Sequence, residues 1–267
     1  MRNFLFLIVC VPAFCYAQSD SSLVRRNDVV RFADGLLYTF SSPVRWDGKD
    51  WLTFGGVVAG TALLSLADEP IRDFWVKQDS KFLDEMERVG YHLGKPYSAF
   101  IAAGGFYLVG FVIKDEWAKD TGLMLGLSFL SSAAIQTFMK TAVGRARPDT
   151  EEGPFSFEPF SNEGAYHSFP SGHMTVAFST SMVLASRVKS PVLKVIFYSG
   201  AAITAISRMY KDKHWFTDIA FGSGLAYFCA NTAMERLESN KYRKPKDKSM
   251  SWQVSPFPGG LTLTARF

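Results

Sequence analysis

Six apolar stretches set the limits on what this chain can fold into. They are Trp51 to Ala67, Ser98 to Ile113, Thr121 to Met139, Met174 to Ser186, Val192 to Ile206 and Asp218 to Ala233, each 13 to 19 residues long. None alternates apolar and polar residues as a half-buried strand does. All are rich in Gly, Ala, Ser and Thr, the small residues that let helices approach closely in membranes and in tight bundles. The pattern predicts an all-α fold, a six-helix bundle. Between the first two stretches, residues 68–94 place Ile71, Phe74, Trp75, Phe82, Leu83, Met86 and Val89 at helical spacing, which predicts two short amphipathic helices on the bundle's end. Residues 149–168 carry the Gly, Pro, Asn and Ser of a loop.

The ends differ in character. Residues 1–17 have Arg2, an apolar run from Phe4 to Phe14 too short to span comfortably, and small residues Cys15 and Ala17, the pattern of an export signal. Residues 18–50 are polar, with turn signals at Asp34-Gly35, Ser42-Pro43 and Asp47-Gly48, and are expected to form a loosely structured lead-in with one short amphipathic helix. The bundle domain is expected over 51–233 and a charged tail over 234–267, whose LTLTARF alternates like a strand. Beyond the leader only Cys229 is left of three cysteines, so no internal disulfide is expected. A net charge of +4, dispersed along the chain, does not point to nucleic acid. The sequence carries no mark of oligomeric state.

The stretches sit at or below the ~20 residues of a usual membrane span. Basic residues in RVKSP and Lys194, between the fourth and fifth stretches, and in the tail KYRKPKDK place those ends in the cytoplasm by the positive-inside rule. A cleaved leader leaves the mature N-terminus outside, whereas six spans with the tail inside start inside. Either the leader is retained and one stretch does not span, or the bundle is partly embedded; an exported soluble bundle is the other reading.

Three clusters stand at the ends of these stretches. In KTAVGRARP, Lys140 and Arg147 are seven residues apart, two helical turns, so a continuing helix puts both cations on one face for an anion. Taken alone this is also a basic membrane-flanking loop. In FPSGH, Ser171 is a natural N-cap, Gly172 allows close backbone approach, and His173 falls in a helix first turn whose free N–H groups favour anions; alone it is equally a capped helix with an ordinary histidine. In SRMYKDKHWFTD, His214 and Asp218 are four apart. Asp218 can hold one ring nitrogen and leave the other free, as a nucleophilic histidine requires, or the two form a structural cap.

Together, K-x6-RP, PSGH and SR-x5-H-x3-D resemble the three signature motifs of the type 2 phosphatidic acid phosphatase and vanadium haloperoxidase superfamily. Every motif position is present: Lys140, Arg147, Pro148; Pro170, Ser171, Gly172, His173; Ser207, Arg208, His214, Asp218. The resemblance implies that superfamily's helical bundle, membrane-embedded, and a phosphatase of lipid or isoprenoid phosphates. It implies that His214 attacks phosphorus, Asp218 orients it, and His173 protonates the leaving alcohol and then activates water. Lys140, Arg147, Arg208, Ser171 and the Gly172 N–H would hold the phosphoryl oxygens. Three cations can stand in for the metal of many phosphatases, and His92 and His167 have no paired ligands nearby, so neither metal nor cofactor is expected. Vanadate enters only under the haloperoxidase alternative; a soluble periplasmic acid phosphatase is another. In an up-and-down bundle all three motifs reach one end, opposite the basic loop, so the site is expected to face the periplasm from a bacterial inner membrane.

Overall fold

The computed structural model describes residues 24–243, 251–257 and 260–266. The expected leader lies outside them. Residues 27–241 make one compact unit. It runs through α1 (Asp28–Phe40), α2 (Gly48–Leu64), α3 (Asp68–Trp75), α4 (Lys81–Leu93), α5 (Pro96–Ile113), α6 (Glu116–Val143), α7 (Gly172–Ser186), α8 (Pro191–Tyr210) and α9 (Phe216–Ser239). The fold is all-α in kind. The six apolar stretches are α2 and α5 to α9, and the two amphipathic helices are α3 and α4.

The lead-in is not loose. Asn27 caps α1 by accepting the Val29 N–H, and Arg31 is fully buried. Its guanidinium donates to Asp120 Oδ1 at 2.8 Å and to the Leu237 carbonyl at 2.9 Å, which ties α1 to α6 and α9. A polar segment is ordered here because its charges are answered from the bundle, a pairing that local sequence does not display. For the same reason α6 outruns Thr121–Met139 at both ends. Asp115 accepts the Trp117 N–H at its start, and Asp120, polar in sequence, is buried against Arg31 and Lys241.

The bundle interior mixes polar and apolar side chains, and its outer faces are apolar. Ser128, Ser131 and Ser132 on α6, Thr175 and Ser179 on α7, and Thr204 and Ser207 on α8 are buried. Several hydroxyls donate to carbonyls one turn back, as Ser131 does to Leu127 and Thr175 to Ser171. Beside them packs a core of Leu123, Met124, Leu125, Leu127, Met182, Val183 and Leu237. The outer faces carry Leu52 and Leu63 on α2, Ile101 and Val112 on α5, and Val192 and Val195 on α8. Such an exterior suits lipid rather than water. Gly48–Trp75, Pro96–Ile113, Glu116–Val143 and Pro191–Tyr210 are long and apolar enough to cross a membrane. The 15 residues of α7 reach roughly 22 Å against a hydrocarbon core of about 30 Å, so α7 falls short.

The described residues outside 27–241 belong to a second unit. In it Val24–Arg25 (β1) pairs antiparallel with Tyr242–Arg243 (β2), and Ser251–Phe257 (β3) with Gly260–Arg266 (β4). Residues 261–266 of the alternating LTLTARF lie in β4. Its partner SWQVSPF escapes a sequence reading because Pro256 is unfavourable inside a strand.

Candidate active site

Lys140 lies in the last turn of α6, which stops at Val143. Gly144 ends it in the left-handed region, with φ of +58°, and a Cβ there would sit 1.8 Å from the Glu158 carbonyl oxygen. The helix therefore does not continue to Arg147, and the shared helical face expected for Lys140 and Arg147 is absent. Arg147 arrives instead on a loop. Its N–H donates to the Ala165 carbonyl at 2.8 Å and its Nε to that of Gly164 at 2.8 Å. Lys140 Nζ donates to the His167 carbonyl at 2.7 Å, so both cations hold the 149–168 connection.

Ser171 caps α7, as its sequence predicts, by accepting the Met174 N–H. Its own N–H donates to the Asp218 carbonyl at 3.0 Å, which joins the second cluster to the third. His173 follows in the first turn, its ring 5.4 Å from that of Tyr91 on α4. Arg208 ends α8, held by Glu87 Oε1 at 2.5 Å and by Ser207 Oγ, with its guanidinium 5.0 Å from the Tyr91 ring. The α4–α8 contact that brings Glu87 and Tyr91 there needs a glycine: a Cβ at Gly90 would lie 2.6 Å from the Ile203 carbonyl oxygen.

His214 stands in the short link before α9. Asp218 is in the first turn of α9 and accepts the Trp215 N–H at 2.9 Å, so it also caps its own helix. His214 Nδ1 lies 3.5 Å from Asp218 Oδ2, a long contact for a hydrogen bond. Ser168 Oγ donates to the same oxygen, and Arg145 Nη1 donates to Oδ1 at 2.7 Å.

Lys140, Arg147, Gly172, His173, Arg208 and His214 all line one cavity of about 340 Å³. Ser171 and Asp218, both fully buried, stand directly behind it. Its lining also includes the apolar Pro96, Phe129, Ala133 and Val176. Along α6, Phe129, Ala133, Gln136, Thr137 and Lys140 recur at three- and four-residue spacing and share one face, which grades from apolar to cationic. Burial pushes His214 down to about 4, against the pull of Asp218. Burial, and then the charge of Arg208, pushes His173 down to about 3. His173 Nε2 and His214 Nδ1 are buried with no hydrogen-bond partner among the described residues. The result is a pair of neutral imidazoles among cations, a site completed electrically by an anion. His92 and His167 are engaged elsewhere, by the Tyr97 hydroxyl and the Ser161 carbonyl. Among the described residues no group of three or more His, Cys, Asp or Glu is placed to hold a metal ion.

Residues 121–241, which hold all three clusters, match the family model described as the PAP2 superfamily. That segment is similar to the PAP2 superfamily. It is 29% identical over 214 residues to a lipid A 1-phosphatase of Rhizobium johnstonii, covering 72% of this chain and 81% of that one. It is 29% identical over 185 residues to phosphatidylglycerophosphatase B of Bacillus subtilis, covering 63% and 83%. A crystal structure of a transmembrane PAP2-type phosphatidylglycerolphosphate phosphatase from Bacillus subtilis shares the fold, with a TM-score of 0.54 over 79% of this chain and 96% of that one at 22% identity. The chain is accordingly an enzyme, a phosphoric ester hydrolase.

Several residues of the site give little sign of themselves in sequence. Arg145, two positions before Arg147, points away from the cavity and into the protein. Asp68, Glu87, Tyr91 and Lys95 come from α3, α4 and the α4–α5 link, far from the motifs in the chain. Lys95 and Lys213 add cations to the cavity wall, though Lys213 is paired with Asp149 at 2.5 Å. Arg145 could have been suspected from its place in GRARP; the others are brought in by folding alone.

Proposed function

We propose that this enzyme hydrolyses phosphomonoesters or diphosphates of lipids, through a phosphohistidine formed on His214. The observation that carries the reading is the convergence of the motif cations Lys140, Arg147 and Arg208 and two neutral histidines on one cavity that is also lined by apolar side chains. The relatives' names support it, since both act on phosphate groups attached to lipids. A phosphate on the cationic side leaves an acyl-bearing body against Phe129, Ala133 and Val176.

With Asp218 on Nδ1, His214 keeps a lone pair on Nε2. That pair forms the N–P bond as the P–O bond to the leaving alcohol breaks. His173 gives the departing oxygen its proton. It must first gain that proton, and an incoming phosphate dianion raises its affinity for one. In the second step a water attacks phosphorus, gives its proton to His173, and the N–P bond breaks. Lys140, Arg147 and Arg208 carry the charge spread over the equatorial oxygens, as phosphoryl transfer requires. The Nη groups of Arg147 are left for this because Gly164 takes only Nε. The basic loop of Arg187, Lys189 and Lys194 lies at the other end of α7 and α8, which supports a site facing the periplasm.

The test is phosphate release from a panel of lipid and soluble phosphoesters, by wild type and His214→Ala, with a chelator present throughout. Release that survives chelation and disappears in the variant is expected. Release that the variant retains, or none from any substrate, would sink the reading and call for assay of bromide oxidation with peroxide and vanadate.

A further inference from the structure

We propose that Asp68 and Arg145 act as positioning residues behind Asp218, setting how much of its negative charge reaches His214; this rests on the phosphohistidine reading above. Arg145 lies between two carboxylates. Its Nη1 donates to Asp218 Oδ1 at 2.7 Å and to Thr217 Oγ1 at 2.8 Å. Its Nη2 donates to Asp68 Oδ2 at 2.7 Å, and its Nε to the Pro154 carbonyl at 2.9 Å. Thr217 closes the ring: its N–H donates to Asp68 Oδ1 at 2.9 Å and its hydroxyl to Asp68 Oδ2 at 2.5 Å. Asp68 and Asp218 are fully buried, and the Arg145 side chain is 4% exposed. The indole of Trp215 lies 5.6 Å from the guanidinium. None of these residues lines the cavity, so the cluster is not there to bind substrate.

Its charge count gives it a use. Arg145 with Asp218 alone would be a neutral pair, and Asp218 would have little left to offer. Asp68 supplies a second carboxylate, so the three groups together keep one negative charge. When Nε2 of His214 bonds to phosphorus and the leaving oxygen takes its proton from His173, the His214 ring, still protonated at Nδ1, becomes formally cationic. The retained negative charge then sits 3.5 Å from Nδ1, in a dry interior where charges act strongly. Asp68 therefore reaches the reaction through Arg145 and Asp218, from a helix that sequence places 150 residues before Asp218.

The test uses the full chain in detergent, with p-nitrophenyl phosphate and phosphatidate as substrates and inorganic phosphate as competing ligand. Wild type and His214→Ala come first. If neither substrate gives His214-dependent release, the reading itself fails and the inference with it. Otherwise Asp68→Asn should lower kcat roughly 10- to 100-fold, the range typical of outer partners of reactive groups. KM and phosphate inhibition should stay unchanged, since the cavity cations are intact. The double variant Asp68→Asn/Arg145→Gln restores a single negative charge and should turn over faster than Asp68→Asn. A purely structural pair gives the opposite, because the double variant loses more contacts. Wild-type kcat in Asp68→Asn, or a double variant no faster than it, overturns the proposal and leaves the reading standing. Failure of both to run as folded protein in size-exclusion chromatography assigns the pair to stability and overturns it as well.

Discussion

The two histidines of the cavity have different neighbours, and their variants should fail differently. His214 has Asp218 behind it; His173 has a buried, unpartnered Nε2 and the Tyr91 ring. His214→Ala should reduce turnover by roughly 10³-fold or more, as loss of a nucleophile does. His173→Ala should be more selective. With p-nitrophenol as leaving group, which needs no proton to depart, phosphoryl transfer to His214 should persist while hydrolysis slows. Labelled phosphate should then stay on the denatured protein under alkaline quench, where phosphohistidine survives. No label above the His214→Ala background would remove His173 from the water-activating step. The eleven motif residues could be picked out in sequence by type and spacing, and the fold brings Lys140, Arg147, Gly172, His173, Arg208 and His214 of them to one cavity. Asp68, Arg145 and Glu87 were not, because a side chain that supports another is defined by a contact across the fold.

At the level of elements, the site is made of helix ends. α6 and α8 finish at it, α7 and α9 begin at it, and the stop of α6 at Gly144 decides where two arginines go. Gly144→Ala has to relieve both a positive φ and a contact with the Glu158 carbonyl. It should cost more than the roughly 1 kcal/mol of an ordinary left-handed alanine. Thermal unfolding in detergent measures this, and activity should fall further than stability because Arg145 and Arg147 follow directly. An unchanged melting temperature would show that the 149–168 connection yields easily. The six apolar helices could be read from their composition. Their lengths could not: α6 starts before Thr121 because Asp120 is answered by Arg31 and Lys241, which lie about 90 and 120 residues away in the chain. Likewise the shared face for Lys140 and Arg147 failed on one glycine.

For the whole molecule, the buried histidines make stability depend on pH. His214 falls from its ordinary 6.5 to about 4 on folding, and His173 to about 3. The unfolded chain therefore binds more protons between those values, and the folded state gains as pH rises. This contribution is complete above about pH 6.5 and is lost as pH falls toward 4, on the order of 3 kcal/mol for His214. Melting temperature should drop over that interval in wild type, and drop less in His173→Asn. An identical slope in the two would mean that His173 titrates normally. The apolar exterior makes a second demand: the protein should stay with membranes through alkaline carbonate washing. Release into the supernatant would show that the exposed faces of α2, α5 and α8 are covered by something other than lipid.

The clamp on α1 has a consequence for biogenesis. Arg31 pairs with Asp28 in its own helix and finds its distant acceptors on Asp120 and on the Leu237 carbonyl, the last of which emerges 206 residues later. At about 5–20 residues per second a ribosome needs tens of seconds to deliver it. Through that interval the Arg31–Asp28 pair has to stay hydrated at the bilayer surface, since charged groups are costly in hydrocarbon. Asp120 and Lys140 are twenty residues apart on α6, roughly 30 Å, so this late latch closes at the end of the bundle remote from the catalytic cavity. α1 is thus among the last helices to settle, and the bundle finishes by joining α1 to the end of α9.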